Sequence, residues 1–178
     1  MFARGCMREL ILGGIRSGKS RLAEQHARAS GLQVVYIATA QVRDEEMQRR
    51  VAEHQSRRPD SWALVEAGQN LAEVLLREAS AQRCVLVDCL TLWLTQLLCD
   101  ASEQVLRREC DALLEVLPSL PGHIILVSNE TNMGIVPMGE LSRRYCDEAG
   151  RLHQQVGALC ERVILTVAGL PLIVKGSD

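Results

Sequence analysis

Aromatic residues are almost missing from this sequence. Its 178 residues include one Phe, two Tyr and two Trp, 3% in all. A core must therefore be filled by aliphatic side chains, and there is little material for the stacking platforms that hold single-stranded nucleic acid. Charge imbalance is missing too. The 20 Lys and Arg against 22 Asp and Glu leave a formal net charge of −2, which argues against a nucleic-acid binder relying on a broad basic surface. No apolar run approaches the ~20 residues a membrane-spanning helix needs. The stretch Met1–Glu9 holds Arg4 and Arg8 but no apolar secretion-signal core. The expectation is a cytoplasmic protein with no membrane span. Cysteines stand at 6, 84, 89, 99, 110, 146 and 160, seven in number, with no Cys-x-x-Cys and no Cys/His group at zinc spacing. Their odd number and apolar settings predict reduced thiols buried as small hydrophobes.

What is present is a globular chain. The apolar share is 47% and the charged share 24%, and a length of this order predicts one domain over 1–178, with 1–7 as a short N-terminal extension. Short β-rich runs alternate with amphipathic stretches. Glu9–Leu12, Val34–Ile37, Trp62–Val65, Val85–Asp88, Ile124–Val127, Val163–Val167 and Leu172–Val174 read as strands. Ser20–Ser30, Asp44–Arg57, Leu71–Ala79, Leu92–Leu98, Val105–Leu117 and Leu141–Leu159 read as helices. Continuous aliphatic strands alternating with helices predict an α/β fold of three layers with a mostly parallel sheet.

The first strand runs into Gly13-Gly14-Ile15-Arg16-Ser17-Gly18-Lys19-Ser20 and then a helix. This is the strand–loop–helix setting a phosphate-binding loop requires, so the chain is expected to have a P-loop NTPase fold. The glycines let successive N–H groups face phosphate oxygens at a helix N-terminus. Lys19 would reach the β- and γ-phosphates, and the Ser20 hydroxyl would hold Mg²⁺. Arg16 adds a cation inside the loop. Asp88, at the end of a buried strand, is the candidate for ordering the metal shell; otherwise it is a strand-end residue capping the next helix. No Asn-Lys-x-Asp guanine motif occurs, which disfavours a regulatory GTPase.

Two further segments stand out. His54 shares a helix face with Met47 and Val51 and is flanked by Arg49, Arg50, Arg57 and Arg58. On the residues alone the stronger reading is a packed histidine with a solvated arginine face. The other is a nucleophile, because neutral imidazole attacks phosphorus and guanidiniums stabilise the charge that develops. Ser128 to Pro137 follows a buried strand, where loops line the ligand crevice of an open α/β sheet. It reads as a substrate-contacting loop or as a long surface connection.

The ordered set of motifs resembles the bifunctional adenosylcobinamide kinase / adenosylcobinamide-phosphate guanylyltransferase family. It comprises Leu12–Ser20, Tyr36-Ile37-Ala38-Thr39-Ala40, Asp44–Met47, Arg50–His54, Arg58–Trp62, Val87–Thr95, Ser128–Glu130, Gly134–Pro137 and Ala149–Gln154. The resemblance spans nearly the whole chain. It implies phosphorylation of adenosylcobinamide by ATP or GTP, then GMP transfer from GTP to adenosylcobinamide phosphate through a guanylyl-histidine, with pyrophosphate released. By position that histidine is His54, so the resemblance overturns the packed reading. Lys19 would share the catalysis. The nucleotide site implied is Gly13, Gly14, Ile15, Arg16, Ser17, Gly18, Lys19, Ser20, Ala38, Thr39, Ala40, Gln55, Ser56, Arg57, Arg58, Glu66 and Asp88, with Ser20 and Asp88 on Mg²⁺ and Glu66 suited to guanine N1–H and N2–H₂. A homotrimer is implied as well. Thr131-Asn132 stands where the family pattern has Val-Gly, which touches the corrinoid side and spares the nucleotide site. The rival readings are a monofunctional P-loop small-molecule kinase and a non-catalytic nucleotide-binding subunit.

Overall fold

A computed structural model describes residues 6–39 and 59–177. The expected helix over Asp44–Arg57, and with it Ala40, His54, Gln55, Ser56, Arg57 and Arg58, lies outside the described residues. The described elements follow in the order β1 (Met7–Gly13), α1 (Lys19–Ala29), β2 (Gln33–Ala38), β3 (Ala63–Glu66), α2 (Leu71–Glu78), β4 (Arg83–Asp88), α3 (Leu90–Asp100), α4 (Glu103–Val116), a 3₁₀ turn (Leu117–Ser119), β5 (His123–Asn129), α5 (Glu140–Leu159), β6 (Arg162–Val167) and β7 (Leu170–Lys175). β1 starts at Met7, paired with His123, so the first strand takes in the last residue assigned to the N-terminal extension.

Seven strands form one sheet in the order β3-β2-β4-β5-β1-β6-β7. Every neighbouring pair is parallel except β6 and β7, which form a terminal antiparallel hairpin. The α/β, three-layer, mostly parallel expectation therefore holds. Alternation along the strands divides the core. Leu10, Val35, Val85, Val87, Ile124 and Leu126 face α2 to α5, with Trp93 and Leu97 packed over them. Ile11, Val34, Tyr36, Leu86, Ile125 and Val127 face α1 through Ala23 and Ala27. β4 and β5 are covered on both sides, which is why they read as unbroken aliphatic runs. Trp93 is fully buried, and its indole N–H donates to the Gln69 carbonyl at 2.8 Å, so a polar handle inside the core is satisfied.

The cysteines only partly fit the expectation. All seven are free thiols, and Cys84, Cys89 and Cys160 are buried, but Cys6 and Cys99 are exposed. Cys6 precedes the first strand, and Cys99 lies in the last turn of α3, where the helix leaves the core. Among the described residues no helix is long and apolar enough to cross a membrane.

Parallel pairing aligns the C-terminal ends of the central strands. Gly13 lies opposite Asn129, Ala38 opposite both Glu66 and Asp88, and Asp88 opposite Val127. Among the described residues, Gly13, Ala38, Glu66, Asp88 and Asn129 thus lie along one edge of the sheet.

Candidate active site

β1 ends at Gly13 and hands the chain to a tight loop. Ser17 N–H donates to the Gly14 carbonyl at 3.2 Å, and Leu22 N–H to the Gly18 carbonyl at 3.0 Å as α1 begins. Gly13 has no room for a side chain: a Cβ would lie 2.4 Å from Ser17 Oγ and 2.7 Å from the Thr166 carbonyl oxygen. Gly18 sits at φ 97°, a left-handed conformation that glycine adopts at no steric cost. A Cβ there would also approach Gly169 Cα to 3.1 Å. Gly169 belongs to the β6–β7 turn, and its N–H donates to the Ser17 carbonyl at 2.8 Å. The terminal hairpin therefore braces the loop from outside, a role no sequence motif signalled.

Lys19 opens α1 and folds back over the loop, its Nζ donating to the Gly14 carbonyl at 3.1 Å. Burial pushes this ammonium below the usual lysine range, while the neighbouring Cys89 and Asp88 pull it upward. Asp88 is thus near enough to Lys19 for its charge to act on the ammonium. Asp88 accepts a hydrogen bond from the Tyr36 hydroxyl at 3.1 Å. It does not cap the helix after it: the cap residue of α3 is Cys89, and no side chain caps it. Ser20 follows in the first turn of α1. A serine hydroxyl and a carboxylate are the hard oxygen donors that suit Mg²⁺, and among the described residues no cluster of three His, Cys, Asp or Glu competes for a metal.

Thr39, just past β2, is 2% exposed. Its hydroxyl donates to the Cys89 carbonyl at 2.7 Å and accepts from the Cys89 N–H at 2.8 Å. The threonine of the Ala38-Thr39 segment thus ties two strand ends together. Burial pushes the Cys89 thiol up to about 11, so it stays protonated and is no nucleophile at neutral pH. Glu66 ends β3 in an exposed position, two residues from a groove lined by Gly68, Gln69, Asn70, Glu73, Val74 and Arg77.

The Ser128–Pro137 segment divides into two parts. Ser128 and Asn129 finish β5, and Glu130 N–H donates to the Gly13 carbonyl at 3.0 Å. Beyond them the loop turns outward: Met133, Ile135, Val136 and Met138 are exposed by 71 to 98%. Asn132, one of the two residues departing from the family pattern, sends its Nδ2 to the Cys146 carbonyl of α5 at 3.0 Å, so the departure fastens the loop to the helix behind it.

A phosphate-binding loop between β1 and α1, a lysine in it and a carboxylate two strands away define a P-loop nucleotide-binding protein. A solved structure described as a structural study of Project ID PH0250 from Pyrococcus horikoshii OT3 shares the fold, with a TM-score of 0.56 at 9% identity over 99% of this chain and 89% of that one. Residues 9–174 match the family described as cobinamide kinase / cobinamide phosphate guanyltransferase, and the chain belongs to this family. It is 64% identical to the bifunctional adenosylcobalamin biosynthesis protein CobP of Pseudomonas aeruginosa, over 96% of this chain and 98% of the relative. It is 38% identical to the bifunctional adenosylcobalamin biosynthesis protein CobU of Escherichia coli K12, over 93% and 98%.

Proposed function

We propose that this chain phosphorylates adenosylcobinamide with ATP or GTP and then transfers GMP from GTP to the resulting phosphate, releasing pyrophosphate. The observation that carries the reading is the family match over 9–174, on a chain that builds the P-loop with Lys19 folded onto it and Asp88 close enough to act on its charge. Nothing favours a monofunctional kinase or a non-catalytic subunit.

The loop Gly13–Ser20 holds the triphosphate through its backbone amides and the α1 N-terminus. Lys19 exchanges its bond to the Gly14 carbonyl for the phosphates, and Arg16 adds charge at the loop's crest. Ser20 and Asp88 would hold Mg²⁺, which would neutralise charge on the transferring phosphoryl group. Thr39 maintains the strand ends, Ala38 and Ala40 belong to the nucleotide site, and Glu66 reads the guanine. Gln55, Ser56, Arg57 and Arg58 complete the nucleotide site. His54 attacks the α-phosphorus of GTP, its lone pair forming the N–P bond while pyrophosphate leaves; the acceptor phosphate then takes the GMP and frees the ring. The exposed apolar loop Met133–Met138 is offered to the corrinoid. The protein works as one domain over 1–178, in the cytoplasm, as a homotrimer whose neighbouring subunit adds surface for so large a substrate.

Supplying adenosylcobinamide with ATP, then GTP, tests the reading by mass spectrometry. Adenosylcobinamide phosphate followed by adenosylcobinamide-GDP is expected. Nucleotide hydrolysis with no change in the corrinoid would refute it.

A further inference from the structure

One part of the motif set plays no role in the nucleotide chemistry above. His153, from the Ala149–Gln154 segment of α5, is 8% exposed and stands against the end of β5. Its Nε2 lies 2.8 Å from Ser128 Oγ. Ser128 Oγ lies 3.2 Å from Thr91 Oγ1, which accepts from the Asn129 N–H at 2.7 Å. The other ring nitrogen, Nδ1, is buried without a hydrogen-bond partner and stands 4.0 Å from Glu130 Oε2.

One donor order suits every link. An ionised carboxylate only accepts, so the ring proton belongs on Nδ1, facing Glu130. Nε2 then accepts from the Ser128 hydroxyl, Ser128 accepts from the Thr91 hydroxyl, and Thr91 accepts from the Asn129 amide. Burial lowers the His153 pKa against the opposing pull of Glu130, so the ring is a neutral donor. A buried polar atom left unpaired is costly, and here the unpaired atom has a carboxylate oxygen 4.0 Å away.

Glu130 is itself well placed. Its N–H is bonded to Gly13, where the P-loop begins. Its Oε1 accepts from the Asn132 N–H at 2.8 Å, which leaves Oε2 toward His153. β5 lies between β1 and β4, so Glu130, the residue after β5, follows a strand end flanked by the one that opens the phosphate loop and the one that carries Asp88, and it begins the loop offered to the acceptor.

We propose that Glu130 is the catalytic residue that takes the proton of the acceptor hydroxyl in the kinase reaction, and that His153 is a positioning residue that aims Oε2 through the Thr91–Ser128–His153 chain. This rests on the kinase reading given above. The hydroxyl oxygen forms a bond to the γ-phosphorus of the nucleoside triphosphate. The bond from that phosphorus to the β,γ-bridging oxygen breaks, its electron pair leaving with the nucleoside diphosphate. The hydroxyl proton passes to Glu130 Oε2 and later to water.

The test compares wild type, Glu130→Gln, His153→Asn and His153→Gln in two assays on the same samples. One is phosphorylation of adenosylcobinamide by saturating ATP. The other is self-labelling from α-labelled GTP without acceptor, a step that involves no hydroxyl. Glu130→Gln is expected to lower kinase kcat by ~100-fold or more, far beyond any loss in self-labelling. His153→Asn keeps an N–H near the Nδ1 position and His153→Gln near Nε2. The Asn variant should therefore retain more kcat, with the KM for ATP alike in both. Kinase activity of Glu130→Gln close to wild type, equal losses in both assays, or a Gln variant as active as the Asn variant would each overturn the proposal. A wild-type protein that labels itself but leaves adenosylcobinamide unphosphorylated would instead remove the kinase reading, and this inference with it.

Discussion

The hydroxyl of Thr39 holds Cys89 from both sides, donating to its carbonyl at 2.7 Å and accepting from its amide at 2.8 Å. One buried hydroxyl thus joins the ends of β2 and β4, where the site is built. Thr39→Val keeps the shape and removes both bonds, leaving the buried Cys89 N–H unsatisfied while the Cys89 carbonyl keeps the Trp93 N–H at 3.3 Å. A loss of about 1–3 kcal/mol is expected, or roughly 2–4 °C in Tm per kcal/mol for a chain of this size. Thr39→Ser should recover most of it. Thermal unfolding of the three proteins checks this.

Lys19 lies along the loop, half-buried, with the Gly14 carbonyl as its partner. Replacing it with Met removes the cation proposed to meet the phosphates and should leave the fold alone. Both the kinase and the guanylyl-transfer reactions should fall by ~100-fold or more in kcat/KM, with Tm little changed. Lys19→Arg should not rescue, because a planar fork cannot replace a compact ammonium at this point.

Asp88 and Tyr36 are bonded at 3.1 Å, and the two residues should respond differently. Asp88→Asn removes the carboxylate proposed to hold Mg²⁺ and should raise the Mg²⁺ concentration needed for half-maximal activity by at least about tenfold. Tyr36→Phe removes only a hydrogen bond worth about 1 kcal/mol and should leave the Mg²⁺ requirement close to wild type. Activity titrated against Mg²⁺ separates them.

At the opposite end of β1, Glu9 is 2% exposed and is held by His26 Nδ1 at 2.7 Å, His123 Nε2 at 3.5 Å and Arg162 Nη1 at 3.4 Å. Burial alone would raise its pKa, but the bonds and charges of His123 and His26 outweigh that and hold it at about 2, against an ordinary 4.5. A depressed carboxylate stabilises the fold fully above its unfolded pKa, and that stabilisation fades as pH falls toward the folded one. The contribution is on the order of 3 kcal/mol, present above about pH 4.5 and lost toward pH 2. Glu9→Gln should be less stable than wild type at pH 7, and the difference should narrow across that window in urea titrations.

Much of this was legible in the sequence because strong local signals agreed. The aliphatic runs gave strands buried on both faces, and the Gly13–Ser20 loop announced the strand before it and the helix after it. Boundaries moved by a residue or two where no Gly or Pro marked an end, as at Met7 and Leu90. What stayed hidden were contacts between distant parts of the chain. Nothing local in Gly169 says that its turn braces Ser17, and nothing in Thr39 says that it grips Cys89. His153 was visible within a motif, but its link to Ser128 depends on how α5 packs over β5. Cys99 was misjudged because an apolar neighbourhood in sequence does not decide which side of a helix faces the core, and Cys6 because it precedes β1 and no element carries it inward.

The central claim is a covalent GMP on His54. Incubation with α-labelled GTP and Mg²⁺ without acceptor, denaturation, and peptide mapping tests it most directly. One label per chain is expected on His54, labile to acid and stable to base, discharged by adenosylcobinamide phosphate and absent from His54→Ala. Label on another residue, label retained in His54→Ala, or guanylyl transfer with no trapped label would contradict it.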